Sequence, residues 1–228
     1  MGTPTDPAQW HVEGSATDRK NITTTAATFG AFELIKAMSM SAARRMTVSA
    51  FENFVTAELK VSVVDAIGQA IINGTGSGQP SGLLTGITWN AANTITVTAI
   101  ASDTMLQAIA KLNPAYTDGA KFAMSTATLF NSVYPLKDAT GAYLFTNTES
   151  GGQHRLFGFE IVLDDNLPAG VILFGNFRFH GANIPQGAAV EVSRKIGFTN
   201  GLIDYRALTI ADGKPIVPAV FVKIEVYA

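Results

Sequence analysis

The sequence predicts an α+β fold, and three observations carry that prediction. One long helical pattern starts near residue 49, shorter helix signals follow it, and from Phe157 the grammar turns to β. Charge is sparse throughout. Only 15% of the 228 residues are charged, where an ordinary soluble domain carries about 25%. Hydrophobic residues make up 47% and mean hydropathy is +0.22. The chain is therefore long and apolar enough for a core and is not a solvating, disordered sequence.

The first residues show neither the cationic start nor the apolar run of a secretory signal. Residues 14–28 are polar, rich in Thr and without a period, which predicts a long loop or extended hairpin. Loops of that length are usually functional or held by a partner. Ser49-Ala50-Phe51-Glu52 then has capping-box spacing. Phe51, Val55, Leu59, Val63, Ala66, Ala70 and Asn73 fall three or four apart, and Phe54, Val64, Ile67 and Ile71 are expected to widen the same apolar face. Asn73-Gly74 is expected to stop the helix as a left-handed cap. The product is a helix of about 23 residues, roughly 35 Å long.

The glycine-rich run 74–82 follows a helix and lacks Gly-Lys-Ser/Thr, so it predicts a turn and not a phosphate cradle. Residues 83–98 suggest short strand pieces around Ile95 and Val97. Ser102 is expected to cap a second helix, with Met105, Leu106, Ile109 and Leu112 on one face and Pro114 closing it. Residues 121–124 form a short buried strand, and Ser125 caps a third helix that Pro135 ends. Gly141, Gly151 and Gly152 bracket a hairpin or loop. Residues 159–163 and 171–174 are strand-like, with an Asp-Asp-Asn and Pro-Ala-Gly turn between them. Two further strands, 189–194 and 202–210, flank a tip at 197–201, and Asp212-Gly213 is a turn signal after them. In the last strand Val220, Val222, Ile224 and Val226 face one way, Lys223 and Glu225 the other.

Several function classes drop out. The absence of cysteine removes disulfide scaffolds, Cys zinc sites and thiol catalysis. A net charge of -2 is unlike the basic surface of a dedicated DNA binder. Residues 66–102 carry no charge, but Asn73, Gly74, Gln79, Pro80, Asn90 and Asn93 interrupt them, so no membrane-spanning run exists there. His11, His154 and His180 are scattered without ligand spacing, and Asp164-Asp165 is better explained as a turn than as an acid/base pair. Arg44-Arg45 is the one arginine pair able to touch a phosphate. No catalytic constellation, metal set or cofactor site emerges. The sparse charge leaves two explanations open: a neutral polar surface, or a surface covered by neighbouring subunits, since interface cores are depleted in Lys, Glu and Asp.

Taken in order, these features resemble a family. Trp10-His11-Val12-Glu13-Gly14 is similar to the "W-x-x-E-G" that leads into the extended loop of HK97-like tailed-bacteriophage major capsid proteins. The long helix and Asn73-Gly74-Thr75-Gly76 through Pro80-Ser81-Gly82-Leu83 resemble that family's spine helix and its "N-G-x-G-x-x-x-P-x-G-L" ending. Leu136-Lys137-Asp138-Ala139-Thr140-Gly141-Ala142-Tyr143-Leu144 is similar to "L-K-D-x-x-G-x-Y-L". Leu156-Phe157-Gly158, Pro168 and Phe174-Gly175-Asn176-Phe177 follow the family's next run, with Glu160 where a proline is usual.

The resemblance implies an HK97 capsid fold. It implies a remnant N-terminal segment at 1–7, processed, truncated or engineered, and an extended E-loop at 8–35. A peripheral domain would span 36–82 and 188–215, holding the spine helix and a long hairpin. An axial domain would span 83–187 and 216–228. It implies a structural, non-enzymatic shell subunit of a tailed phage or prophage, in virions assembled in the bacterial cytoplasm. Such subunits form pentamers and hexamers around double-stranded DNA, which Arg44, Arg45 or Lys60 would touch weakly. Scaffold, portal or decoration proteins are further partners it implies, without membrane or cofactor. The implied subunit-interface residues are Trp10, Glu13, Gly14, Asp18, Arg19, Lys20, Arg44, Arg45, Glu52, Arg194 and Asn200. Some relatives cross-link an E-loop lysine to an asparagine, for which Lys20 and Asn200 are the nearest candidates. The position of the assisting glutamate, near Leu208, is apolar here, which counts against that step. The alternatives are an encapsulin-like compartment shell and an α+β hydrolase or binding domain.

Overall fold

The computed structural model describes residues 27–41, 51–137, 140–143, 154–195 and 198–227. Ser49 and its capping box, most of the polar segment 14–28, and Gly151 and Gly152 lie outside these residues.

In chain order, β1 (Phe32–Ser41) precedes the long helix α1 (Phe51–Asn73). After the glycine-rich segment come a single turn α2 (Leu83–Gly86), β2 (Thr94–Val97) and α3 (Ser102–Lys111). β3 (Lys121–Met124) runs into α4 (Thr126–Thr128), which widens to a π-helical turn at Leu129–Val133. Then follow β4 (Arg155–Leu156), β5 (Phe159–Leu163), β6 (Val171–Gly175), the long pair β7 (His180–Ser193) and β8 (Leu202–Pro215), and finally β9 (Phe221–Val226).

These strands form two sheets. The smaller has the order β1-β8-β7 and is antiparallel; the larger is mixed, with the order β2-β9-β6-β3-β5-β4. Each sheet has its own core. Val55, Leu59 and Val63 of α1 pack on Met40, Ile203, Tyr205 and Ala207 of the small sheet. The large sheet buries Phe122, Phe174, Leu173, Ile224 and Phe221 together with Met105, Ala108 and Leu112 of α3. Each fully buried side chain of this size contributes about 1.5–3 kcal/mol relative to exposure.

The chain passes between the sheets at three places that lie together. The Ser81 amide donates to the Gly213 carbonyl at 2.8 Å, and the Ile216 amide to the Phe179 carbonyl at 2.9 Å. The Thr85 hydroxyl donates to the Gly74 carbonyl. The glycine-rich run is indeed a turn, stitched by the Thr75–Ser81 bridge. The expected boundary between residues 35 and 36 falls inside β1, and that between 187 and 188 falls inside β7.

Several local expectations are corrected. Leu83–Gly86 is a helical turn and not a strand piece, because the Gly86 amide reaches back to the Gly82 carbonyl at 2.8 Å. Gly74 is not in the left-handed region. Glycine is needed there because a Cβ would lie 2.2 Å from the Pro80 carbonyl oxygen and 2.4 Å from that of Ala70. Helical backbone in α3 starts at Ser102 itself, and the Thr104 hydroxyl accepts the Ala101 amide at 3.3 Å. Leu106, expected inward, is exposed while Ala108 is buried. The β7–β8 pair is longer than its apolar pattern suggested. Asp212 and Gly213 are not a turn but pair with Asn183 and Ala182 inside it. Gly213 leaves room for the His180 ring, which a Cβ would meet at 3.1 Å. Ser125 does cap α4, accepting the Thr128 amide at 3.3 Å.

Candidate assembly surfaces

Asp164 and Asp165 point to separate tasks. Asp164 accepts the Asn166 amide at 2.9 Å within its own turn, and Asp165 accepts the Thr126 amide at 2.8 Å at the start of α4. The pair is a turn, as the sequence indicated, and is not a shared acid/base centre. His154 bonds the Tyr134 hydroxyl through Nδ1. His180 is half-buried, and its Nε2 is enclosed without a hydrogen-bond partner. Burial pushes this imidazole below its ordinary range, an effect the Ser81 backbone offsets only in part. Among the described residues no three His, Cys, Asp or Glu side chains gather as metal ligands. His11 lies outside them.

A cavity of about 670 Å³ runs along the small sheet past Ser39, Glu191, Asp204 and Arg206, and no histidine lines it. Its charged groups already hold one another. Arg206 donates to Glu191 at 2.7 Å across β8 and β7, and Ser39 donates to Asp204 at 2.5 Å across β1 and β8. Both partners of the Arg206–Glu191 pair are half exposed, so it favours one strand register more than it adds stability.

Of the expected interface residues, Trp10, Glu13, Gly14, Asp18, Arg19, Lys20, Arg44 and Arg45 lie outside the described residues. Glu52 is half-buried in the first turn of α1. Arg194 and Asn200 are both exposed, Arg194 just after β7 and Asn200 just before β8. Leu208 is half-buried mid-strand, paired with Ile35 and Ala189.

The sequence reading missed the outward side of α1. Phe54 and Val64, expected to widen the buried face, are 61% and 65% exposed, and Val61 is 54% exposed. At about 100° per residue they lie on the side opposite Val55, Leu59 and Val63. The small sheet likewise leaves Ile35, Ile184 and Val192 open. A helix that is apolar on two opposite sides satisfies only one of them within its own subunit.

A search of curated protein sequences finds no match. Solved structures do match. The capsid of a native GTA particle, computed with C5 symmetry, superposes with a TM-score of 0.83 at 22% identity, covering 97% of this chain and 82% of that one. The capsid of the empty GTA particle gives 0.82 at 20% identity, with 97% and 81% covered. The SrpI encapsulin complex from Synechococcus elongatus is more distant, at 0.60 and 13% identity, with 86% and 73% covered. At such identities the likeness is one of fold, here the HK97-like capsid fold. The profile of the phage capsid family adds descent, for it matches residues 2–226. With two sheets, a long helix open on its outer side and that profile running nearly end to end, the chain belongs to the phage capsid family and is a structural subunit of a virion capsid shell.

Proposed function

We propose that this chain is the repeating subunit of an icosahedral tailed-phage or prophage shell that encloses double-stranded DNA, assembling as pentamers and hexamers in the bacterial cytoplasm. The observation that carries the reading is the family match over residues 2–226 in a chain whose helix and small sheet leave apolar surface uncovered. A closed symmetric assembly is the ordinary way to bury such surface. The capsid of a native GTA particle, which shares this fold, was computed with C5 symmetry, which supports a fivefold arrangement of subunits. In this scheme residues 8–35 form the E-loop, 36–82 and 188–215 the peripheral domain, and 83–187 and 216–228 the axial domain. Trp10, Glu13, Gly14, Asp18, Arg19, Lys20, Arg44, Arg45, Glu52, Arg194 and Asn200 meet neighbouring copies. DNA is contacted weakly and without sequence preference, and scaffold, portal or decoration proteins complete the particle.

Negative-stain microscopy with light scattering on the purified protein tests this. Closed shells or capsomer rings are expected, and a monomer that persists at high concentration would overturn the proposal. The likeness to an encapsulin favours a second reading, a compartment for protein cargo. Particles isolated from cells carrying this gene separate the two, since nuclease-resistant double-stranded DNA inside supports the phage reading and protein cargo the other.

A further inference from the structure

The outward stripe of α1 has a regular spacing. Phe54, Ala57, Val61 and Val64 recur at intervals of three, four and three residues, the seam pattern that receives a second helix. Ala57, exposed within the stripe, is small enough to let another backbone approach closely. Beside the stripe, between α1 and β1, a groove of about 380 Å³ is lined by Met38, Met40, Phe51, Phe54 and Glu58. Methionine and phenylalanine give it an adaptable apolar wall suited to one large anchoring side chain.

The charges set the partner's polarity. Glu58 and Asp65 lie two helical turns apart along the flank of the stripe nearer that groove, and neither has an ion-pair partner among the described residues. Lys60 stands alone on the other flank. A partner helix that seats apolar residues on the stripe would therefore gain from basic residues two turns apart on its side facing Glu58 and Asp65. A second copy of α1 fits poorly. Antiparallel, it sets Glu58 against Asp65; parallel, it stacks Ala57 on Ala57 and leaves a void.

We infer that the outer face of α1, with the adjoining Met38–Met40–Phe51 groove, is a docking site for an amphipathic helix with a basic flank supplied by a different polypeptide. The site goes beyond contacts between copies of the subunit and does not depend on how the shell closes.

The test uses the purified full chain and two fluorescently labelled synthetic amphipathic helices, each on the order of 20 residues so that helix formation is reachable. They share leucines at the seam positions and differ only in carrying lysines or glutamates along one flank. The lysine peptide should bind at least about tenfold more tightly than the glutamate peptide at low salt, by fluorescence anisotropy. Phe54→Ser and Val61→Ser should each weaken it by a similar factor, while Glu58→Lys with Asp65→Lys should reverse the preference. Circular dichroism and thermal melting confirm that each variant is folded, and Val64→Ser replaces any that is not. Equal binding of both peptides, or unchanged binding by the serine variants, overturns the proposal. So does a homodimer that Val61→Ser dissociates, because the occupant would then be a second copy. Shell formation is scored separately by microscopy without peptide, so failure of either reading is distinguishable from failure of the other.

Discussion

His180 lies where the chain crosses between the two sheets, against Gly213 and the Ser81 backbone, a position that its scattered place in the sequence does not give. The charged groups on neighbouring elements are Arg178, Asp212 and Lys214, and the Asp212 carboxylate accepts the Gly213 amide at 2.7 Å. Because burial lowers the folded-state value below the ordinary 6.5, the unfolded chain binds the proton more readily as the medium acidifies. Stability is therefore fully present above 6.5 and is lost as pH falls through the lowered folded value. Urea unfolding at about pH 7.5 and about pH 5.5 should show this loss in the wild type and a flatter dependence in His180→Gln. Equal pH dependence in the two proteins would mean that the imidazole binds protons alike in the folded and unfolded states. Gly74 teaches a related lesson. Its position at a helix end was legible, but its cause was not, because the crowding comes from the Pro80 carbonyl folding back onto it.

At the level of elements, α1 was the most legible part of the fold. Its length and its Val55–Leu59–Val63 stripe follow directly from the spacing, and the structure places the helix at Phe51–Asn73. What the spacing cannot say is which apolar residues face the subunit's own core, since Phe54 and Val64 are as hydrophobic as Val55. A substitution pair separates the two sides. Leu59→Ala should destabilise the subunit by about 2–5 kcal/mol in urea unfolding, for it opens a cavity against Tyr205 and Ile203. Val64→Ser should cost less than about 0.5 kcal/mol in the same measurement, because the residue is open to solvent. Equal losses would show that the outer stripe is covered within the isolated chain. The β7–β8 pair was read too short for a different reason. Ala211, Asp212 and Gly213 are poor strand formers, yet pairing partners distant in sequence hold them in β8, beside the Thr209 hydroxyl that donates to the Gln186 carbonyl at 2.9 Å.

For the whole molecule, the low charge content was the first clue, and the open apolar residues of α1 and the small sheet are its structural counterpart. Composition alone could not locate that surface, because location depends on which side of each element the core takes. Of the expected interface residues, the described ones are Glu52 on α1 and the exposed Arg194 and Asn200; the sequence offers them only through the family resemblance, because an interface depends on the neighbouring copy. If subunits meet without covalent linkage, the assembled protein boiled in detergent should run as a single band on a gel. The apolar Leu208, held between Ile35 and Ala189, offers no carboxylate to accept a proton. A ladder of multimers surviving that treatment would contradict this and point to Lys20 and Asn200.

The strand order also constrains how the protein is made. β1 pairs with β8, and β2 pairs with β9, so each sheet joins an early strand to one from the last part of the chain. β9 sits inside the large sheet between β2 and β6, where its absence would leave two unsatisfied edges. A ribosome must therefore finish nearly the whole polypeptide before either sheet can close, and folding is slowed by these distant pairings. Each sheet, and the core it covers, is therefore complete only once the last strands have formed.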